Sequence, residues 1–133
     1  MCLARLKDFK VSKNYGWKVF FEADGKLYGE IFSTDKERKI NRWLDSDDYL
    51  GVEGSKRIMC SISYEIYSSG WHIFLRKKDA KRWAKASHKL PGRDLVIRKV
   101  LFKEVVAKGE QIHCRVVVAK KIKILPQKKK TRR

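Results

Sequence analysis

The fold of this chain is decided by two neighbouring stretches in its C-terminal third, LVIRKVLFKEVV (residues 95–106) and IHCRVVVAKKIKIL (residues 112–125). Alternation of apolar and polar side chains in the second stretch has the two-residue period of a β-strand with one buried face. One face holds Ile112, Cys114, Val116, Val118, Lys120, Ile122 and Ile124, and the other is dominated by His113, Arg115, Lys121 and Lys123. We expect two strands, joined by residues 107–110, in a sheet with one basic face.

The N-terminal half contains further strand signals. Aromatic and branched runs at residues 15–21 and 27–32 flank Ala23-Asp24-Gly25-Lys26, and Asp-Gly between two such runs predicts a β-hairpin. Residues 57–67 alternate with a period of two and predict one half-buried strand. Residues 34–55 are charged and contain Gly51 and Gly54, so we expect a loop with one short helical turn around Lys39–Leu44.

A strand at residues 71–75 leads into a predicted helix over residues 76–87. Ala80, Trp83, Ala84 and Ser87 recur at helical spacing, while the opposite arc carries Lys77, Lys78, Lys81, Arg82, Lys85 and Lys89. Pro91 and Gly92 are expected to end the helix. The predicted helix is therefore amphipathic, with a cationic outer face.

These elements predict an α+β fold. We expect one domain over residues 1–125, with a mainly antiparallel sheet of five or six strands and one basic amphipathic helix packed on it. A chain of 133 residues with 43% hydrophobic residues suits a single domain with a packed core. Residues 126–133 follow as a basic tail that we expect to be disordered, because they contain nothing to bury.

Positive charge is concentrated in the second half of the sequence. Residues 1–65 carry 12 Lys and Arg against 11 Asp and Glu, whereas residues 66–133 carry 21 against 4, and the whole chain has a net charge of +18. A charge excess of this kind bears on partners rather than on fold. Nucleic acid is the polyanion that most often supplies the opposite charge.

Candidate phosphate contacts come from three basic elements: the helix, the last two strands and the tail. They are Lys77, Lys78, Lys81, Arg82, Lys85 and Lys89; Arg98, Lys99, Arg115, Lys121 and Lys123; and Lys128, Lys129, Lys130, Arg132 and Arg133. A cation that neutralises a phosphate releases a counterion, and this gain does not depend on base sequence. The alternative is a basic surface that serves solubility alone.

The kind of nucleic acid is left open. No helix-turn-helix, zinc-finger spacing, RNP1-like strand or GxxG loop is present, so non-specific contact to DNA or RNA is favoured over sequence reading. Unpaired bases could stack on exposed aromatic residues, for which the candidates are Trp17, Tyr28, Trp43, Tyr49, Tyr67 and Trp71, although large aromatics are more often core. A membrane partner is not expected, since the apolar face of the helix is small.

Catalytic and metal sites are not expected. Cys2, Cys60 and Cys114 are widely spaced, which indicates neither a disulfide framework nor zinc and suits a reducing cytoplasm. His72 lies in an apolar strand and is expected to be a hydrogen-bonded core residue rather than a catalytic one. The acidic residues Asp45, Asp47, Asp48 and Glu53 lack the spacing of a calcium loop. We therefore expect no cofactor and no enzymatic activity.

Two short motifs carry a resemblance. Residues 67–74 (YSSGWHIF) are followed by Asp79-Ala80 in the helix and by VVVAKKIKIL at residues 116–125. Over residues 64–125 the chain resembles small uncharacterised domains of bacteriophage and mobile-element genomes that carry Gly-Phe-His-x-Cys or Gly-Phe-His-x-Phe and end in a Val-Ala-x-x-Ile-x-Ile strand. Trp71 stands where that group usually has Phe. The resemblance implies a viral or mobile-element accessory protein in the host cytoplasm or nucleoid, and it implies no activity.

The leading expectation is thus a nucleic-acid-binding accessory protein. The alternative is a protein-interaction inhibitor, of the anti-defence or anti-CRISPR type, that docks its basic face on a host nucleic-acid-processing or defence enzyme. The two differ because an inhibitor needs apolar anchors and binds its partner without nucleic acid, whereas a direct binder has a steep salt dependence with naked DNA or RNA.

Overall fold

A computed structural model describes residues 3–29, 36–49, 57–86 and 94–127. Within these ranges the elements, in chain order, are β1 (Arg5–Leu6), β2 (Tyr15–Ala23), β3 (Lys26–Tyr28), β4 (Trp43–Asp45), α1 (Ser46–Tyr49), β5 (Arg57–Met59), β6 (Ile66–Ser68), β7 (Trp71–Phe74), α2 (Lys77–Ala86), β8 (Asp94–Gln111) and β9 (Cys114–Ile124). None of the helices in the described ranges is both long enough and apolar enough to span a bilayer. The predicted helix stop at Pro91-Gly92 and residues 128–133 of the predicted tail lie outside these ranges.

An antiparallel sheet of seven strands and a separate two-stranded hairpin confirm the α+β class. The strand order is β1-β8-β2-β7-β9-β4, and β3 pairs with β2. The sheet has more than the expected five or six strands because the short segments β1 and β4 also pair, with β8 and β9 respectively. Since β8 also pairs with β9, the strands β8, β2, β7 and β9 form a closed circuit.

The long strand β8 pairs with β2 along one edge and with β9 along the other, and it is irregular near its middle. Its residues 94–101 pair with β2, and its residues 100–111 pair with β9. Glu104 has a left-handed φ of 61°, and the register with β9 shifts between Val105 and Ala107. A bulge of this kind increases the local twist and bends the strand. Such a bend favours the curvature that a closed circuit of strands requires.

The turn between β8 and β9 does not lie at residues 107–110, as the sequence had suggested. Those residues belong to β8, and the turn is formed by Ile112 and His113, which have φ values of 50° and 61°. The turn was predicted at these residues because Gly109 is of a residue type common in turns. A Cβ at this position would collide with the backbone oxygen of Arg5, so this glycine permits the close approach of β1 rather than a turn.

The predicted Asp-Gly hairpin is confirmed. Asp24 and Gly25 have φ values of 52° and 76°, as a two-residue hairpin turn requires, and they connect β2 with β3. Residues 30–32 of the predicted second strand lie outside the described residues.

Two predictions in the middle of the chain are wrong. The helical turn expected at Lys39–Leu44 lies instead at Ser46–Tyr49, after β4, because the Asp45 carboxylate accepts the backbone N–H of Asp47 at 2.9 Å and caps the helix. Residues 57–67 do not form one strand. They form the hairpin β5–β6, whose turn is closed by a hydrogen bond from Cys60 N–H to the Glu65 carbonyl at 2.8 Å and contains Tyr64 at a φ of 60°.

Two apolar clusters lie on opposite sides of the sheet. Strand β7 divides its side chains between them, since Trp71 and Ile73 belong to the first cluster and Phe74 to the second. The four central residues of β9, from Val116 to Ala119, are all buried, and they alternate between the two clusters in the same way. The expectation of one continuous basic face on β9 therefore fails in the middle of the strand, where the second face is also core.

His72 is a core residue, 5% exposed, on the side of Phe74. Its Nδ1 lies 3.2 Å from the Gly70 carbonyl oxygen, and its Nε2 lies 2.8 Å from the Tyr67 hydroxyl oxygen. A carbonyl can only accept, so Nδ1 carries the proton and Nε2 accepts from the hydroxyl. Burial lowers the pKa of His72 to about 3, and the Lys18 ammonium adds to this effect. The Tyr67 oxygen in turn accepts the Leu3 backbone N–H at 2.9 Å.

The neutral state of His72 predicts a pH dependence of stability. Between pH 6.5 and pH 3 the unfolded chain binds a proton at this residue that the folded chain does not. The free energy of unfolding therefore decreases by about 1.4 kcal/mol for each unit by which the pH falls. We expect His72→Gln to be destabilising at pH 7 and to lose this slope. Urea unfolding measured from pH 7 to pH 4 should therefore show that the free energies of unfolding of the unchanged protein and of His72→Gln come closer together as the pH falls.

The matched control is His113→Gln, which changes an exposed histidine at the β8–β9 turn. It should follow the pH dependence of the unchanged protein. A stability difference for His72→Gln that stayed constant over this range would contradict the neutral buried histidine.

Candidate nucleic-acid interface

Five cations project from one arc of α2 into solvent. They form the surface that we call the basic ridge: Lys77, Lys78, Lys81, Arg82 and Lys85. The opposite arc holds the helix on the sheet, where Ala80 is buried and the Trp83 ring lies 6.4 Å from that of Phe74. The predicted amphipathic helix is confirmed. Lys89, the remaining helix candidate, lies outside the described residues.

The single acidic residue of α2 does not neutralise the ridge. Asp79 is 6% exposed and lies near the thiol of Cys114 on β9, which donates to the Ile112 carbonyl at 3.4 Å. Burial raises the pKa of that thiol, and the Asp79 carboxylate raises it further. Among the cations that the structure describes, only Arg76 pairs with Asp79, with its Nε 3.9 Å from the Asp79 Oδ2. In the same part of the chain no ridge residue has a carboxylate within 4.0 Å.

A second surface lies where the sheet is not covered by the helix. Even-numbered residues Val100 and Phe102 of β8 and Ile122 and Ile124 of β9 are buried in the first cluster, so the odd-numbered residues point to the other side. We call this surface the lysine–aromatic face, and it consists of Tyr15, Trp17, Trp43, Lys99, Leu101, Lys103, Lys121 and Lys123. All eight side chains are half-buried or exposed.

Register brings the members of the lysine–aromatic face together from four strands. Tyr15 is paired with Leu101, Leu101 with Lys123, and Lys123 with Trp43, which makes one row across β2, β8, β9 and β4. Trp17 is paired with Lys99 in a neighbouring row, and Lys103 with Lys121 in another. Directly paired residues have side chains on the same side of a sheet. The face is thus a continuous surface built from residues far apart in sequence.

Lysine ammonium groups lie over the aromatic rings of this face. The Nζ of Lys99 is 4.2 Å from the Tyr15 ring centroid, and that of Lys103 is 4.1 Å from the Trp43 centroid. Lys77 of the ridge lies 5.2 Å from the Trp17 centroid. Each such contact is worth about 0.5–1 kcal/mol at an exposed site. Trp17 therefore joins the ridge to the lysine–aromatic face in one surface.

The remaining strand candidates lie elsewhere. The Arg98 guanidinium donates to the Leu125 carbonyl at 3.1 Å and is partly buried, on the side of the first cluster. Arg115 is exposed, but its guanidinium carbon lies 5.2 Å from the Phe9 ring, away from the members of the face. Lys99, Lys121 and Lys123 do belong to the face. The tail candidates Lys128, Lys129, Lys130, Arg132 and Arg133 lie outside the described residues.

Sequence reasoning missed three members of this surface, Tyr15, Leu101 and Lys103, and left the aromatic residues undecided. Lys103 and Tyr15 were not among the candidates, although the two-residue period of β8 puts Lys103 on the side of Lys99. Of the suggested stacking residues, Trp71 and Tyr67 are core, whereas Trp43 is 40% exposed and Trp17 is half-buried. The indole N–H of Trp71 donates to the Leu44 carbonyl at 3.1 Å, as expected of a buried tryptophan.

Carboxylates shield one end of the lysine–aromatic face. Glu104 lies 3.0 Å from the Lys121 ammonium, and its hydrogen bond and charge raise the pKa of Lys121. Asp47 of α1 lies 2.6 Å from Lys120. The acidic segment after β4 thus meets the basic strand β9, a contact that the sequence alone left open. Among the residues that the structure describes the ridge has no such partners, so its uncompensated cations adjoin the end of the face near Trp17.

The described residues contain no group of three or more His, Cys, Asp or Glu side chains able to hold a metal ion. Comparison with protein-family models, with curated proteins and with solved structures found no match to this chain. The candidate interface is therefore defined by its own geometry and charge.

The Lys121–Glu104 ion pair makes a local prediction. In Glu104→Gln the amide keeps an acceptor but loses the charge, so the pKa of Lys121 should fall toward that of an ordinary lysine. Side-chain NMR titration of Lys121 measures this directly. Asp47→Asn, which changes the partner of Lys120, is the control and should leave the Lys121 titration in place. An unchanged pKa in Glu104→Gln would exclude the ion pair in solution.

Proposed function

We propose that this chain is a nucleic-acid-binding accessory protein that contacts phosphates through the basic ridge and the adjoining lysine–aromatic face. The observation that carries the proposal is the ridge itself. It has five exposed cations on one arc of α2 and no carboxylate within 4.0 Å in the described chain. A motif resemblance to phage and mobile-element domains favours the same accessory role.

The distribution of charge argues against a surface that serves solubility alone. Such surfaces mix both signs, because opposite charges three or four residues apart on a helix stabilise it. Here Lys77, Lys81 and Lys85 follow one another at four-residue intervals, about 6 Å apart along the helix axis. Their mutual repulsion is a cost that a polyanion would relieve. Contacts between lysines and phosphates position a protein on the nucleic-acid backbone without reading the base sequence.

Salt dependence is the direct test of this proposal. Each phosphate contact contributes about −0.9 to the slope of log K against log salt for duplex DNA and about −0.7 for a single strand. We expect the double variant Lys81→Gln/Lys85→Gln to bind more weakly and to lose about 2 units of slope on duplex DNA. Fluorescence anisotropy with labelled DNA and RNA, at several salt concentrations, measures both quantities.

The control is Lys7→Gln, which removes one positive charge, where the double variant removes two, from a lysine that is already paired with Glu110 at 3.6 Å. It should leave the slope nearly unchanged. A parallel chain ending at Leu125 measures the share of the basic tail. Absence of binding to every probe at low salt, or equal losses in the ridge and control variants, would overturn the proposal.

One observation favours a second candidate, an inhibitor that docks on a nucleic-acid-processing enzyme. The hairpin β5–β6 exposes Met59, Ile62 and Ile66, each more than half accessible to solvent. We call these three residues the apolar hairpin surface. They adjoin an open groove of about 560 Å³ that Ile66 shares with Leu6 and Val106. Exposed apolar groups of this size are common in protein interfaces, where a few buried anchors carry most of the binding energy.

Nuclease kinetics separate the two candidates. At a substrate concentration near KM, a direct inhibitor lowers the rate of a purified nuclease even when substrate is in molar excess over the added chain. A nucleic-acid binder protects only by covering the substrate, so its effect vanishes in that molar excess. We expect protection of the second kind, unchanged in Met59→Ser/Ile66→Ser. Inhibition that persists in substrate excess and is lost in that double variant would favour the docking candidate.

A further inference from the structure

Three aromatic rings lie on the lysine–aromatic face without being part of the closed core. Trp43 is 40% exposed, and Tyr15 and Trp17 are half-buried. The next residue after Trp43, Leu44, is 2% exposed in the first cluster, so the alternation of β4 turns Trp43 outward. Each ring has a lysine ammonium within 6 Å of its centroid, so a flexible, charged chain end lies over each of them, while Trp17 also packs against the second cluster.

From this arrangement we infer that the lysine–aromatic face binds single-stranded nucleic acid and stacks unpaired bases on Tyr15, Trp17 and Trp43. The inference rests on the proposed function and adds its substrate class. Stacking on aromatic side chains is tolerant of sequence, since every base has a π face, and it requires bases that are not paired in a duplex.

Exchange of partners explains why lysines and rings alternate. In the free protein the ammonium groups of Lys99 and Lys103 each lie over an aromatic ring, and these contacts are weak because they are exposed to solvent. A base that stacks on the ring displaces the ammonium, and the long lysine side chain swings to the phosphate of the same nucleotide. Both groups then have a better partner than before. Lys99 beside Tyr15 and Lys103 beside Trp43 make two such units, one at each end of a row across the sheet.

The dimensions of the face suit a strand rather than a single nucleotide. Tyr15 and Trp43 stand at the ends of a row of four strands, which spans about 14 Å at the usual strand spacing. Lys123 lies between them in the same row, and Lys77 extends the positive surface from Trp17 along α2. An acidic peptide would use the lysines but would leave the three rings without planar partners. The combination fits a chain that alternates phosphates with flat aromatic groups.

The test uses the full chain and labelled oligothymidylate and oligouridylate of about 12 nucleotides, within the range that single-strand-binding sheets occupy. Trp43→Leu keeps an apolar side chain but cannot stack, whereas Trp43→Phe can. We expect Trp43→Leu to weaken single-strand binding by about 5- to 150-fold, the equivalent of one lost base stack, and Trp43→Phe to restore most of it. The salt slope should be the same in both, because no charge has changed.

Two further measurements identify the contact as stacking. Tryptophan fluorescence should be quenched by the oligonucleotide, and part of the quenching should disappear in Trp43→Phe although binding persists. Duplex DNA of the same length should bind the Trp43→Leu variant as well as the unchanged chain. The matched control is Tyr64→Asn, which removes an aromatic ring that is 70% exposed on the β5–β6 hairpin, at a left-handed position that Asn tolerates. It should bind normally.

Failure of this inference is distinguishable from failure of the proposed function. If the chain binds duplex and single strands equally and Trp43→Leu changes neither, phosphate contact stands and base stacking is overturned. If no nucleic acid binds at low salt, both fall. If Trp43→Leu weakened the binding of an acidic peptide but not that of the oligonucleotide, base stacking would also be overturned. Circular dichroism and thermal melting of each variant show whether a loss reflects the face or the fold, and Tyr15→Leu repeats the test at the other end of the row.

Discussion

Pairing between β8 and β9 fixes the positions of most other elements of the molecule. Ten residue pairs hold the two strands in register, and each strand then offers its remaining length to another partner. Strand β8 receives β1 and β2, while β9 receives β7 and β4. The irregularity at Glu104 bends β8 and favours the curvature with which the circuit closes. The pairing of β8 with β9 also sets the row of residues that ends in Tyr15 and Trp43.

Local signals in the sequence predicted part of this fold well. The Asp24-Gly25 turn and helix α2 depend on neighbours within a few residues, and both occur as expected. The failures occur where a distant segment decides the conformation. Gly109 looked like a turn residue but is required by the passage of β1, and residues 57–67 looked like one strand although their turn hydrogen-bonds to the carbonyls of Leu3 and Ala4. A sequence pattern carries no record of such contacts.

The same distinction applies to the candidate interface. The basic ridge was predictable because helical spacing alone puts Lys77, Lys81 and Lys85 on one side. The lysine–aromatic face was not, since its members are brought together by register among β2, β8, β9 and β4. Charge counting also could not separate Lys99, which lies on the face, from its neighbour Arg98, which bonds to the Leu125 carbonyl on the other side. Glu104 and Asp47 show that a high net charge is not spread evenly over the surface.

The order of strands along the chain has a consequence for folding. Strand β2 contains the buried residues Val19, Phe20 and Phe21, but its long partner, β8, begins only at Asp94. Strand β1 pairs with Glu110, at the far end of β8. Sheets that depend on such distant contacts fold slowly, because the entropy of closing long loops must be met before the contacts form. During synthesis, strand β2 can pair with β3 at once but must wait for β8 until the strongly cationic half has emerged, and in that interval its aromatic residues are most exposed to aggregation.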